Sequence, residues 1–291
     1  MQKRGLGEAS PPPGFCRLEV SGGVNFTPEV LERNITAAAK RNPRYFSREI
    51  PRHEPLVIVG NGPSLRHEIH DIKKRQQQGA KLICVNGAHD WLIERDVIPW
   101  AAAFMDVDPL VADFVRSPRH DIVYFVASQC DPVVFDALDG CDVVVWHCWE
   151  GMGEESVVRR EMDARGIPWA LIPGGPSVGL RCINLGAIMG WRELHVYALD
   201  CCFEGRRQHT NQQGSEYDKH LIVHVNGREF QTAVGLVRQA RAFEGYVNEW
   251  NDCFPGVDLW LHGGGLITAM MQDRQKKIQA RHAAAPTTPI A

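Results

Sequence analysis

Two carboxylates separated by one residue, Asp106 and Asp108, follow the apolar run Ala101–Met105 and precede Pro109. In extended chain the side chains of residues i and i+2 face the same way, so the pair can hold Mg2+ through one or two direct contacts, with water completing the shell. The alternative makes Asp108 the cap of a helix opening at Pro109 and leaves Asp106 as the functional acid. A third acid, Asp200, ends the apolar run Leu194–Leu199 and leads into a polar loop that carries Glu204, Arg206, Arg207 and His209 and reaches Lys219. In that loop His209 is a candidate general base toward an acceptor hydroxyl, and either arginine can neutralise a phosphate, although a lone loop histidine is more often simply solvated. The candidate catalytic residues are therefore Asp106, Asp200 and His209, and the candidate metal ligands Asp106, Asp108 and Asp200.

Two glycine loops add binding chemistry. Gly60-Asn61-Gly62-Pro63-Ser64 follows the buried run Val57–Val59 and opens a helix. Its glycines let the backbone approach a ligand, Ser64 can cap the helix, and free N–H groups at a helix start favour an anion. A purely structural turn would use the same residues. Gly175, Ser177 and Gly179 repeat the Gly-Pro-Ser pattern between another strand and helix, so the two turns can grip two parts of one ligand. Asn86, followed by Gly87, ends a third strand, where a short amide can reach a base, ribose or phosphate; Asn-Gly is also a common turn.

These motifs need a scaffold that puts them on one edge. Short β-branched runs at 56–59, 81–85, 101–105, 122–126, 143–146, 169–172, 194–199 and 257–261 alternate, in the first seven, with helix-length spacers. That pattern predicts an α/β, Rossmann-like single domain, its sheet mostly parallel with helices on both faces. Ligands of such folds lie outside the carboxyl ends of the strands, which is where every motif above falls. The expected domain covers residues 27–271, of which 27–50 are an edge helix, ended by Asn42-Pro43, and a linker. Residues 1–26 read as a flexible arm rich in Pro and Gly, and 272–291 as a partly disordered tail whose charged first part can be helical.

Bulk properties narrow the classes. With 291 residues and 44% hydrophobic content the chain can fill a core, while a net charge of -3 excludes charge-driven nucleic-acid binding. No run approaches the ~18 apolar residues of a membrane span and no secretory signal is legible, so a cytoplasmic location is expected. Nine cysteines in apolar runs read as reduced thiols. The spacing of Cys130, Cys141, His147 and Cys148 matches no zinc ligand set, and these read as core residues. Gly263-Gly264-Gly265 reads as a tight connection that can also border the cleft.

The segments Val59–Leu65, Asp106–Pro109 and Gly175–Gly179 through Gly190–Asp200 together resemble the MptE-like domain family, over roughly residues 28–270. Its archaeal namesake is a 6-hydroxymethylpterin diphosphokinase, and its bacterial relatives include the Maf proteins of flagellin glycosylation. The first loop also looks like that of bacterial CMP-sialic-acid-dependent sialyltransferases, a similarity that extends to Asn86, Ser177 and Asp200. Those enzymes need no metal and use a histidine base, for which the resemblance offers His209 or His220. Cys201-Cys202-Phe203 departs from the small or polar residues usual after the aspartate.

Two transfer reactions follow. In the first, a diphosphoryl group moves from ATP to a hydroxymethyl or hydroxyl acceptor: Gly60, Asn61, Gly62, Pro63 and Ser64 hold phosphates, and Asp106 and Asp200 place Mg2+. In the second, a nucleotide sugar, CMP-linked, donates its glycosyl group. A nucleotide-binding protein without catalysis is the third reading. The expected partners are a small nucleotide donor and a hydroxyl acceptor; a homo-oligomer stays open.

Overall fold

The computed structural model describes residues 26–46, 52–149, 151, 153–211 and 220–284. The expected arm thus lies almost wholly outside the described residues, as do 212–219 of the polar loop and 285–291 of the tail.

In chain order the elements begin with α1 (Pro28–Lys40) and the short β1 (Arg44–Tyr45). Then follow β2 (Leu56–Val59), α2 (Leu65–Gln77), β3 (Lys81–Val85), α3 (Ala88–Ile93), β4 (Ala101–Phe104), a 3-10 turn (Pro109–Phe114), β5 (Val123–Ala127) and α4 (Pro132–Ala137). The second half runs β6 (Asp142–Cys148), α5 (Glu154–Asp163), β7 (Leu171–Ile172), α6 (Val178–Ile188), β8 (Glu193–Tyr197), β9 (Leu221–Val225), β10 (Arg228–Thr232), α7 (Val234–Cys253), β11 (Asp258–Leu261) and α8 (Leu266–Ala284).

Nine strands form one sheet in the order β1-β6-β5-β4-β3-β2-β8-β11, with β7 beside β6, and all its pairs are parallel. The interior strands have no polar alternation because both faces are covered: all four residues of β2 and all four of β4 are buried. Edge strand β11, by contrast, alternates exposed and half-buried residues. From β2 the chain adds strands in one direction as far as β6 and β7; α6 then carries it back to lay β8 on the other side of β2. With right-handed crossovers, that reversal puts α6 on the face opposite α2 and makes the carboxyl ends of β2 and β8 the switch point, where open α/β sheets bind their ligands. The approach of α6 is close enough that a Cβ at Gly186 would lie 2.6 Å from the Leu56 side chain. A smaller cluster joins α1 to α5 through Leu31, Ile35, Ala39, Val157, Val158 and Met162.

Several boundaries differ from the sequence reading. The strand expected through Leu199 stops at Tyr197, because Ala198 turns into the left-handed region at φ +54°. The connection from β4 to β5 is the 3-10 turn and not an α-helix. Helix α8 starts directly after Gly265 and runs across the expected boundary at 271, since no breaker interrupts Leu266–Ala284. Residues 221–232 form a separate antiparallel hairpin, β9–β10, that the sequence reading passed over. The eight described cysteines are all free thiols, and most are buried. No helix among the described residues is long and apolar enough to cross a membrane.

Candidate functional site

At the reversal point the loops after β2 and β8 are bonded to each other. Gly60 N–H donates to the Tyr197 carbonyl at 2.8 Å and Gly62 N–H to the Ala198 carbonyl at 2.9 Å. The Asp200 carboxylate then closes the start of α2, accepting from Ser64 N–H and from Ser64 Oγ, each at 2.8 Å. These contacts correct the sequence reading in one respect. The bare amides expected to cradle phosphate at Gly60, Gly62 and Ser64 are engaged by the chain itself, and the anion at this helix start is Asp200. Ser64 does not cap α2 with its hydroxyl, which points to Asp200 instead.

The glycines serve this internal approach. A Cβ at Gly62 would lie 2.4 Å from Asp200 Oδ2, and one at Gly265 would lie 2.4 Å from Asp200 Cα. Asp200 is only 4% exposed, and its main-chain carbonyl accepts from Leu266 N–H at 2.7 Å, so one residue ties together the β2 loop, the β8 loop and the start of α8. Burial pushes the Asp200 carboxyl above the usual range, against the lowering effect of the two Ser64 donors.

The polar segment after Asp200 folds back over the first glycine loop. Thr210 N–H donates to the Asn61 carbonyl at 2.9 Å, and Thr210 Oγ1 donates to the Gly62 carbonyl. Asn61 Nδ2 donates to Asn211 Oδ1 at 2.8 Å, while Asn211 Nδ2 donates to the Gly87 carbonyl at 3.3 Å. Asn211 therefore joins the ends of β2 and β3. His209 is half-buried in this fold-back; burial lowers its pKa, partly offset by a bond to the Asn61 backbone.

A different histidine has a carboxylate partner here. His67 Nε2 lies 2.8 Å from Glu204 Oε1 with both side chains about half exposed, at 59% and 48%. The sequence reading missed His67. The available signal was its place in the first turn of the helix that opens at a ligand loop.

At the ends of β3 and β4, Asn86 takes φ +45°, and its Nδ2 donates to Asp106 Oδ2 at 3.2 Å. Asn86 Oδ1 is buried without a hydrogen-bond partner among the described residues. Burial raises the Asp106 pKa, with Asn86 working against it. Asp108 caps the 3-10 turn through Leu110 N–H at 2.9 Å, the capping alternative for that residue. The three carboxylates are thus not assembled into one donor set: Asp108 caps, both Asp200 oxygens accept from Ser64, and Asp106 accepts from Asn86. No group of three or more metal-binding side chains occurs among the described residues. Asp106 by itself fits the single protein carboxylate that Mg2+ takes alongside substrate phosphates.

The second glycine loop is built differently. Gly174 and Gly175 take φ +136° and +87°, and Ser177 caps α6 by accepting from Leu180 N–H. The absent side chain of Gly179 leaves room for Leu199, since a Cβ there would lie 2.4 Å from it. This packs the α6 start onto the residue before Asp200. Ser177 and the first loop share no hydrogen bond among the described residues.

The chain matches the model of a family described as 6-hydroxymethylpterin diphosphokinase MptE-like over residues 30–206. That stretch holds β1 through β8, Asp200 and the His67–Glu204 pair, and stops short of His209. Among solved structures the chain is similar to a MAf glycosyltransferase from Magnetospirillum magneticum AMB-1, with 17% identity and a TM-score of 0.55. The likeness covers 87% of this chain and 42% of that one, so this chain spans less than half the length of that protein. It is a likeness of fold. No curated protein matches the chain.

Proposed function

This chain belongs to the MptE-like family, and on that premise we propose that it is a transferase. It takes a nucleotide-activated donor at the carboxyl ends of β2, β3 and β8 and passes the activated group to a hydroxyl acceptor. Glycosyl transfer from a nucleotide sugar, CMP-linked, is the reaction the geometry supports best.

One observation carries this reading: Asp200 already neutralises the α2 start, and the surrounding strand ends offer neutral amides and a histidine–carboxylate pair. A magnesium triphosphate calls for bare backbone amides and free carboxylates. A nucleoside monophosphate leaving group carries less charge and is recognised largely through ribose and base. The unpartnered Oδ1 of Asn86 suits a donated ribose hydroxyl, and Asn61, Asn211 and Ser177 extend the same neutral polar edge.

In this mechanism the acceptor oxygen attacks the anomeric carbon while the bond from that carbon to the phosphate oxygen breaks. The phosphate leaves with the electron pair, and the acceptor proton passes to His67, whose ring Glu204 orients. His67→Ala is expected to lower kcat by about 10²-fold and to leave nucleotide binding intact. Rates and thermal shifts measured on the same preparations check both halves.

Diphosphoryl transfer from ATP is the second reading, favoured by the description of the matched family and by Asp106, which would hold Mg2+ against the phosphates. A thermal-shift panel of CMP and ATP, each with and without Mg2+, tests the choice. At 100-fold excess over Kd, CMP alone is expected to stabilise the protein by about 2.7 kcal/mol, and EDTA is expected to leave release of CMP from a CMP-linked sugar intact. Stabilisation by ATP only, and only with Mg2+, would assign diphosphoryl transfer instead. Binding of either nucleotide with no donor consumed would return the non-catalytic reading.

A further inference from the structure

A second concavity adjoins the glycine loop. Between the first turns of α2, helix α3 and the segment 207–210 lies a cleft of about 280 Å³, lined by Arg66, Ile69, Trp91, Arg95, Arg207 and Thr210. Three of the six are arginines. Arg95 is pinned at the rim, its guanidinium 3.9 Å from the Trp91 ring centroid and its Nη1 donating to the Trp91 carbonyl at 2.8 Å. Arg66 is less well satisfied: its Nε is buried with no hydrogen-bond partner among the described residues, and Glu204 stands 3.7 Å away. Arg207 is exposed and has no ion pair among the described residues.

A buried guanidinium N–H without an acceptor is a cost that an anionic oxygen entering the cleft removes. Arg95 pairs with Glu94 at 3.3 Å and Arg66 with Glu204 at 3.7 Å, which leaves Arg207 as the cleft's arginine without a carboxylate among the described residues. The three guanidinium groups together still offer more N–H donors than a flat carboxylate uses, and so suit a tetrahedral dianion better. The volume is that of a subsite, at the lower limit for a whole small-molecule pocket. Trp91 and Ile69 supply an apolar wall for the carbon skeleton beside the charged group.

The geometry points to an acceptor subsite: the cleft receives a phosphomonoester on the acceptor, held by Arg66 and Arg207, with its carbon skeleton against Trp91. This rests on the transferase reading above. Glu204 links the subsite to the reacting end, since it lies beside Arg66 and is bonded to His67. An acceptor anchored at Arg66 therefore has its hydroxyl end directed toward that histidine.

Calorimetric titration of the full chain with phenyl phosphate tests the proposal, with and without saturating CMP. Arg66→Gln and Arg207→Gln are each expected to weaken binding about tenfold or more. Arg44→Gln, on the far sheet edge where Arg44 pairs with Asp142, is expected to leave it unchanged. Because Arg207 is exposed, its variant reports on the site without threatening the fold. Equal affinity in wild type and both cleft variants overturns the proposal, as does equal weakening by Arg44→Gln. Competition between CMP and phenyl phosphate also overturns it, because the cleft would then hold the donor's phosphate. Arginine-dependent phenyl phosphate binding with no nucleotide binding at all would keep the anion site and sink the transferase reading, so the two failures are distinct.

Discussion

Asp200→Ala is expected to lower the stability of the fold by roughly 3 kcal/mol and to abolish donor turnover. The carboxylate is buried, and both of its oxygens accept from Ser64. Its removal leaves the Ser64 amide of a helix start without an acceptor and empties the space against which Gly62 and Gly265 are packed. Asp200→Asn keeps one acceptor for the amide and is expected to cost much less. The pair of variants therefore separates the hydrogen bond from the charge.

The charge has its own signature. Burial raises the folded-state pKa of Asp200 above its unfolded value, so between the two the native state holds the proton more tightly than the unfolded chain. The stability contributed by this group is fully present below about pH 4 and is lost as pH rises through the raised value. Urea midpoints measured from pH 4 to 7 are expected to fall less steeply with pH in Asp200→Asn than in wild type. An identical slope in the two proteins would show that the carboxylate is ionised without penalty.

Gly60→Ala is expected to be at least as damaging, at roughly 3 kcal/mol or more. A Cβ there would lie 2.3 Å from the Ala198 carbonyl oxygen and 2.6 Å from the Leu199 side chain. The first of these atoms is backbone and cannot rotate away. To admit the methyl group, the β2 and β8 ends must separate, which breaks the Gly60–Tyr197 and Gly62–Ala198 hydrogen bonds together. Gly79→Ala is the informative contrast. Nothing lies within 4 Å of a Cβ at Gly79, but its φ of +100° strains any other residue, so only the modest cost of that backbone conformation is expected. Denaturation midpoints of the two variants distinguish collision from strain.

Much of the architecture was legible in the chain before it was folded. The runs 56–59 and 81–85 coincide with β2 and β3 because interior parallel strands are buried on both faces and read as unbroken apolar segments. The α1 boundaries and the Asp108 cap were legible because Pro at the first helical turn and a capping carboxylate act within a few residues of one another. Hairpin β9–β10 was also legible and was overlooked. Asn226-Gly227 sits between its strands with φ +52° and +72°, the pairing that a two-residue hairpin turn requires.

The site divides along the same line. From the sequence alone the chain could be seen to carry its polar motifs at the carboxyl ends of parallel strands, since strand periodicity and the Gly, Asn and Asp residues that end strands are local properties. Which groups satisfy one another there was decided by the tertiary structure: Asp200 meets Ser64 across 136 positions, Glu204 meets His67 across 137, and Asn211 meets Asn61 across 150. Those partnerships depend on β8 returning beside β2 after five intervening strands, β3 to β7, have been laid down on its other side. Strand order is a collective outcome of packing, and no short stretch of residues encodes it, so an amide that reads as free in the chain can find its anion in the fold.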